Sequence, residues 1–415
     1  MAGVNCKQVS SAIKGCTVLA AVAMPGVYRL ILFVVVENLF GMAELGRFAN
    51  DVSIVSLIGF FTAVGWAGMV MIRVPQNSGI AKLRILFSIG RFSFLWLLPS
   101  IPLIFLLDKL DIIYNPLLSS VLLVGWTFFM LFRKFFIAIK KYDFLLLAEI
   151  ILLTCTVVTL IVFKNIPEIV PYLAFAIPCL VMSFLGGIVA FVIVRKGGKV
   201  FSNHVQGIAR TGFEFGLNNF VGGGKTLALT PLVVHLAGEN YGGLLGLLSS
   251  LLGIMVLFPR TLSQYHFPDL ARFIQNADYA SFRAHLSLFR KQIYFSISGI
   301  CLLSIIAWAV LGYTPYAARV DMPGASIVFY VMLLALAVDQ VVIPEANSLM
   351  VRELSTIMLT VNIGASILFA VLLVGPFFFK CGPLVSLYMI LGAYFVSNVV
   401  RSTWLAKLSG DNLPK

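Results

Sequence analysis

The sequence predicts an all-α integral membrane protein of about 12 transmembrane helices, arranged as two pseudo-symmetric six-helix lobes around a central cavity. Three observations carry this. Of the 415 residues, 60% are hydrophobic and 11% charged, against about a quarter charged in soluble domains. Apolar runs long enough to cross a bilayer recur twelve times. Lys and Arg are concentrated in alternate loops.

The runs lie near 17–37, 52–72, 85–107, 112–131, 144–163, 169–194, 216–237, 243–263, 293–314, 325–345, 355–379 and 381–400. Each is close to the roughly 20 residues that span hydrocarbon. The sixth carries Pro171, Pro178 and the Gly186–Gly187 pair, which predicts a tilt or kink. The polar start MAGVNCKQVSSAIKGC precedes a run of spanning length, so a retained first helix is expected rather than a cleaved signal.

With the N-terminus inside, the cytoplasmic segments hold 22 of the 30 Lys and Arg, among them Arg133, Lys134, Arg195, Arg210, Arg290 and Lys291. The outer loops hold five: Arg47, Lys109, Lys164, Arg319 and Lys380. This bias predicts both termini in the cytoplasm and explains the net charge of +13 without nucleic acid as a partner. Six scattered cysteines form no C-x-x-C pair, so neither a disulfide framework nor a metal site is implied, and no cofactor is expected.

The segment 195–210 has the composition of a linker. The expected organisation is a lobe over 1–195, a cytoplasmic linker over 196–215, a second lobe over 216–405 and a tail over 406–415. The loop at 260–292 places Leu270, Ile274, Phe282, Leu286 and Phe289 at helical spacing among basic residues. That pattern predicts an amphipathic helix on the inner leaflet.

At an offset of 196 residues the second half falls on the first. Lys14 matches Arg210, Gly26 matches Gly222, Gly46 matches Gly242 and Ser53 matches Ser249. FGMAELGRF also rhymes with LAGENYGGL. In the same register Arg29 falls on Lys225. Two like-oriented halves imply a two-fold pseudo-axis along the membrane normal. A cation at mid-depth cannot comfortably face lipid, so both residues are expected to line the cavity between the halves. The other reading makes each the neutraliser of a buried carboxylate such as Asp339 or Glu149. GGGKT imitates the end of a phosphate-binding loop, but Asn219 replaces its first glycine and no strand precedes it.

Arg91 lies about two turns into the third span, where it either guides a head group or snorkels to the surface. Asp339 and Glu149 lie within spans. Each is a candidate for ion coupling or for pairing with Arg91, Arg29 or Lys225. His266 and His285 read as solvated or interfacial. His204 reads the same way. No H-E-x-x-H, G-x-S-x-G or carboxylate pair on a soluble face is present, so no enzyme is indicated.

The stretches 40–60 (FGMAELGRFANDVSIVSLIGF), 237–259 (AGENYGGLLGLLSSLLGIMVLFP) and 267–286 (FPDLARFIQNADYASFRAHL) resemble those of the Wzx-type flippases. These form the polysaccharide-transporter branch of the multidrug/oligosaccharidyl-lipid/polysaccharide exporter superfamily. The resemblance implies a cationic cavity between two lobes. It also implies flipping of an undecaprenyl-diphosphate-linked oligosaccharide, such as an O-antigen unit, from the cytoplasmic to the periplasmic leaflet of the bacterial inner membrane. Partners would be that lipid, the bilayer and other polysaccharide assembly proteins. Arg29 and Lys225 would hold the diphosphate by charge-assisted hydrogen bonds. The alternative is a cation-coupled multidrug or metabolite exporter of the same superfamily. A membrane polymerase or acyltransferase is disfavoured by the absence of a large loop.

Overall fold

The computed structural model describes residues 6–75, 77, 79–195, 208–253, 256–313, 321–352, 354–378 and 382–411. Among them every regular element is helical. Hydrocarbon offers the backbone no water, so each apolar run must satisfy its own N–H and C=O groups, and a helix does so locally. Among the described residues, twelve helical stretches are long and apolar enough to cross a membrane, matching the twelve runs. Most of the linker segment lies outside the described residues. His204 does too.

The chain divides into two compact units, Met1–Pro231 and Leu232–Lys415. The first contains α1 (Cys6–Phe40), α2 (Met42–Gly59), a π-helical turn at Phe60–Val64 and α3 (Gly65–Arg73). It continues with α4 (Ala81–Asp108), α5 (Pro116–Ala138), α6 (Tyr142–Val162), α7 (Val170–Arg195) and most of α8 (Ile208–Ala237). α5 packs against α2, α3, α4, α6 and α7, and α1 packs against α6 and α2. α5 starts sharply because Pro116 supplies a helical φ at its first position. Asn115 caps it, its side-chain oxygen accepting from the Leu118 N–H at 3.2 Å.

The π-helical turn is set against glycines of α8. A Cβ on Gly65 would stand 2.4 Å from the Gly212 carbonyl oxygen and 2.8 Å from the Gly216 nitrogen. A Cβ on Gly216 would stand 2.8 Å from the Phe60 carbonyl oxygen. The backbones therefore approach as closely as bare glycine allows. Trp66 closes the turn by donating its indole N–H to the Phe61 carbonyl at 2.6 Å.

The second unit contains α9 (Glu239–Gly253), α10 (Leu257–Gln275), α11 (Tyr279–Leu311), α12 (Ala325–Val341), α13 (Ile343–Val351), α14 (Ser355–Leu372), α15 (Val374–Phe378) and α16 (Pro383–Asp411). α16 packs against α12 and α14. The loop at 260–292 is not a single surface helix. α10 and α11 form a hairpin that turns at Ala277, whose φ is 54°, and α11 runs unbroken for 33 residues. Leu270, Phe282, Leu286 and Phe289 are all buried in this hairpin, joined by Ile293 and Ile297. The helical spacing was real, but the apolar face covers a neighbouring helix instead of lipid.

The rhyme between the halves has a backbone counterpart. Gly41 separates α1 from α2 at φ 91°, and Gly238 separates α8 from α9 at φ 101°. Each glycine carbonyl accepts the first bond of the helix that follows, from Leu45 and Gly242 respectively, at 3.1 Å. The two turns fall one residue off the 196-residue register.

A candidate anion site in the first unit

Arg29 occupies a wall of a partly enclosed cavity of about 80 Å³ within the first unit. α1 places Pro25, Tyr28, Arg29, Leu32 and Phe33 on it, which is the i, i+3, i+4 spacing of one helical face. α2, α5, α6 and α7 supply the remaining walls, including Ser56, Trp126, Glu149 and Phe175. The lining is mostly apolar. The guanidinium carbon sits 5.1 Å from the centre of the Phe33 ring, within cation–π range. The buried Nε of Arg29 has no hydrogen-bond partner among the described residues.

Glu149 lines the same cavity but is committed elsewhere. Its Oε1 accepts from the Arg133 Nε at 2.6 Å, with both side chains under 10% exposed. Arg133 also donates to the Ala21 carbonyl at 3.1 Å. Nearby, the Tyr28 hydroxyl and the Thr156 hydroxyl are 2.8 Å apart. The Arg133 charge matches that of Glu149, so Arg29 is the uncompensated charge on this cavity wall. Such a site favours an anion.

Lys225 is buried on α8, 6% exposed, and is engaged by its surroundings. It is not among the residues lining the Arg29 cavity. Arg91 is exposed on α4, on a separate groove. Asp339 accepts from Arg401 Nη1 at 2.5 Å, and Arg401 Nε donates to Asn362 at 2.7 Å. Glu149 and Asp339 are each held by an arginine outside the pairings the sequence suggested. The apolar runs end at 131 and 400, just before Arg133 and Arg401, which is why the sequence places Arg133 among the cytoplasmic basic residues. α5 and α16 continue past those points and carry both cations inward.

Two further clusters escaped the sequence reading. Asp51, wholly buried, accepts from the Tyr114 and Asn115 backbone N–H groups, the Ser119 and Tyr172 hydroxyls and the Asn50 amide, all between 2.9 and 3.1 Å. It pins the α4–α5 loop and α7 to α2. Its only sequence signal was a carboxylate at the edge of a span. His266 is 2% exposed, not solvated. Its Nδ1 lies 2.9 Å from His285 Nε2, and its Nε2 lies 2.5 Å from Gln292 Oε1.

No protein-family model matches the chain, and no curated protein sequence does. Solved structures do match over nearly its whole length. The lipid II flippase MurJ in an inward closed conformation is 16% identical, with a TM-score of 0.69, over 95% of this chain and 87% of that one. The MATE multidrug transporter DinF-BH, solved as a complex, is 13% identical, with a TM-score of 0.65, over 96% and 94%. A MOP superfamily transporter from Pyrococcus furiosus, described as having a binding pocket of reversed polarity, is 12% identical, with a TM-score of 0.63, over 96% and 94%. At these identities the likeness shows the fold: the chain has the twelve-helix architecture of MATE and MurJ transporters.

Proposed function

We propose that this protein is a transporter that flips an undecaprenyl-diphosphate-linked oligosaccharide, an O-antigen or related surface polysaccharide unit, from the cytoplasmic to the periplasmic leaflet by alternating access. In this reading it resides in a bacterial inner membrane with both termini cytoplasmic. The observation that supports it is Arg29. A guanidinium whose buried Nε has no hydrogen-bond partner among the described residues, on a cavity whose carboxylate is already paired, suits an anionic head group. Lys225 would act with it on the diphosphate. The fold shared with a lipid II flippase is consistent with a lipid-linked substrate.

The fold shared with MATE multidrug transporters keeps a second reading, a cation-coupled exporter. That reading needs an anionic or aromatic site for an organic cation. Trp126 and Phe175 offer aromatic surface, but Glu149 is bound to Arg133 and Arg29 would repel the substrate.

Surface-glycan export separates the two. Arg29→Ala and Lys225→Ala should each abolish export while the protein still accumulates in the membrane, and Arg29→Lys should retain part of it. Normal export by both alanine variants would sink the proposal.

A further inference from the structure

A groove of about 750 Å³ opens on the face of the first unit between α4, α5 and α7. Its walls are phenylalanine-rich, and Phe87 and Phe184 are 59% and 71% exposed. One cation, Arg91, sits in it. Arg91 is exposed and makes no hydrogen bond or ion pair with any described residue.

Depth makes this cation informative. The apolar run of α4 begins at Ile85, so Arg91 lies about 9 Å into it, within the half of the hydrocarbon core nearest the N-terminal end of the helix. Arg84, also exposed, shares its helix face two turns nearer the N-terminal end, with Phe87 between them. Side chains on a helix lean towards its N-terminal end, which in α4 is the end that carries Lys82 and Arg84. A guanidinium on an apolar groove within the membrane is stabilised by an anion beside it. No described residue supplies that anion, so an occupant of the groove that carries one would complete the pairing.

The groove also keeps room for a chain. Gly90 precedes Arg91 and lines the groove, and a Cβ built on it would meet nothing within 4 Å. The space is therefore open and not filled by a neighbouring helix.

We propose that this groove binds one anionic phospholipid, its phosphate on the Arg91 guanidinium and one acyl chain laid along the phenylalanines over Gly90. By the positive-inside rule the lipid belongs to the inner leaflet. The occupant is a membrane phospholipid and not the transported lipid, because Arg91 lies on the half of α4 nearest its basic end, at the depth of a resident lipid's head group. The site is independent of the Arg29 cavity, which shares no lining residue with it.

Native mass spectrometry of the full chain, exchanged into equal dioleoylphosphatidylglycerol and dioleoylphosphatidylcholine, tests this. Wild type should retain the glycerol lipid preferentially. Arg91→Gln should reduce that preference about fivefold, the worth of one basic side chain beside an anionic lipid, and Arg91→Lys should keep it. Gly90→Leu fills open space without a clash, so it should lose the bound lipid of either head group while its melting temperature is unchanged or raised. The proposal is overturned if Arg91→Gln keeps the full preference, or if Gly90→Leu still carries the lipid. It is also overturned if a polyprenyl monophosphate displaces the glycerol lipid at lower concentration, since the groove would then serve the transported class.

Discussion

The Arg133 Nε and the Glu149 Oε1 are 2.6 Å apart, with side chains 7% and 3% exposed. α5 and α6 thus meet through a charge pair that neither helix could carry alone. The pair also neutralises the one carboxylate on the wall of the Arg29 cavity.

Removing one member should damage the protein more than removing both. Glu149→Gln or Arg133→Met each leaves a buried charge without its partner, at a cost of about 3–5 kcal/mol. The double variant should lose clearly less than the sum of the two. Thermal unfolding in detergent across the four proteins of the cycle measures the coupling. Simple additivity would mean that the two charges do not depend on each other.

Gly41 predicts a backbone effect free of packing. Its φ of 91° and ψ of 173° lie where side chains are not tolerated, yet a Cβ there would touch nothing within 4 Å. Gly41→Ala should therefore cost roughly 1–3 kcal/mol through strain alone. A melting temperature equal to wild type would show that this turn relaxes freely.

Gly65 and Gly223 form a matched contrast. Gly65→Ala drives a methyl into the backbone of Gly212 and Gly216, which cannot rotate away, and should cost about 1–3 kcal/mol. At Gly223 the nearest atom to a new Cβ is a Phe60 ring carbon at 3.5 Å, an ordinary contact. Gly223→Ala should change stability by no more than about 0.5 kcal/mol. Equal melting temperatures for the two variants would remove the close approach of α8 from the account of the π-helical turn.

Asp278 sets a pH dependence at the α10–α11 turn. Its carboxylate accepts the Ser281 backbone N–H at 3.0 Å as the N-cap of α11. The Ser281 side-chain and backbone hydrogen bonds hold its pKa below the ordinary aspartate value. A depressed folded-state pKa stabilises the folded form above the unfolded pKa, and the gain disappears as pH falls through the folded value. Asp278→Asn should therefore be less stable than wild type near neutral pH, and the difference should close below about pH 4. Melting curves of both proteins from pH 7 to pH 3 check this, and a constant difference would exclude the charged cap.

Much of the architecture was legible in the chain. Twelve apolar runs became twelve spans, because length and hydropathy alone decide what can cross hydrocarbon. The rhyme at FGMAELGRF and LAGENYGGL also reappeared as paired glycine turns, since a positive φ selects for glycine. The α10–α11 segment shows the limit. Periodicity identified the apolar face of Leu270, Phe282 and Phe289 but carried no information on whether lipid or protein would cover it.

The sequence by itself determined the helices, their number and the presence of charges at membrane depth, all consequences of local composition against a solvent that cannot bond to the backbone. Tertiary structure alone decided where each charge goes. Glu149 finds Arg133 at 16 residues' separation and Asp339 finds Arg401 at 62. Both choices turned on how far a helix continues past its apolar run and which face then meets its neighbour. Those are properties of packing, and the same packing left Arg29 on a cavity wall without a carboxylate of its own.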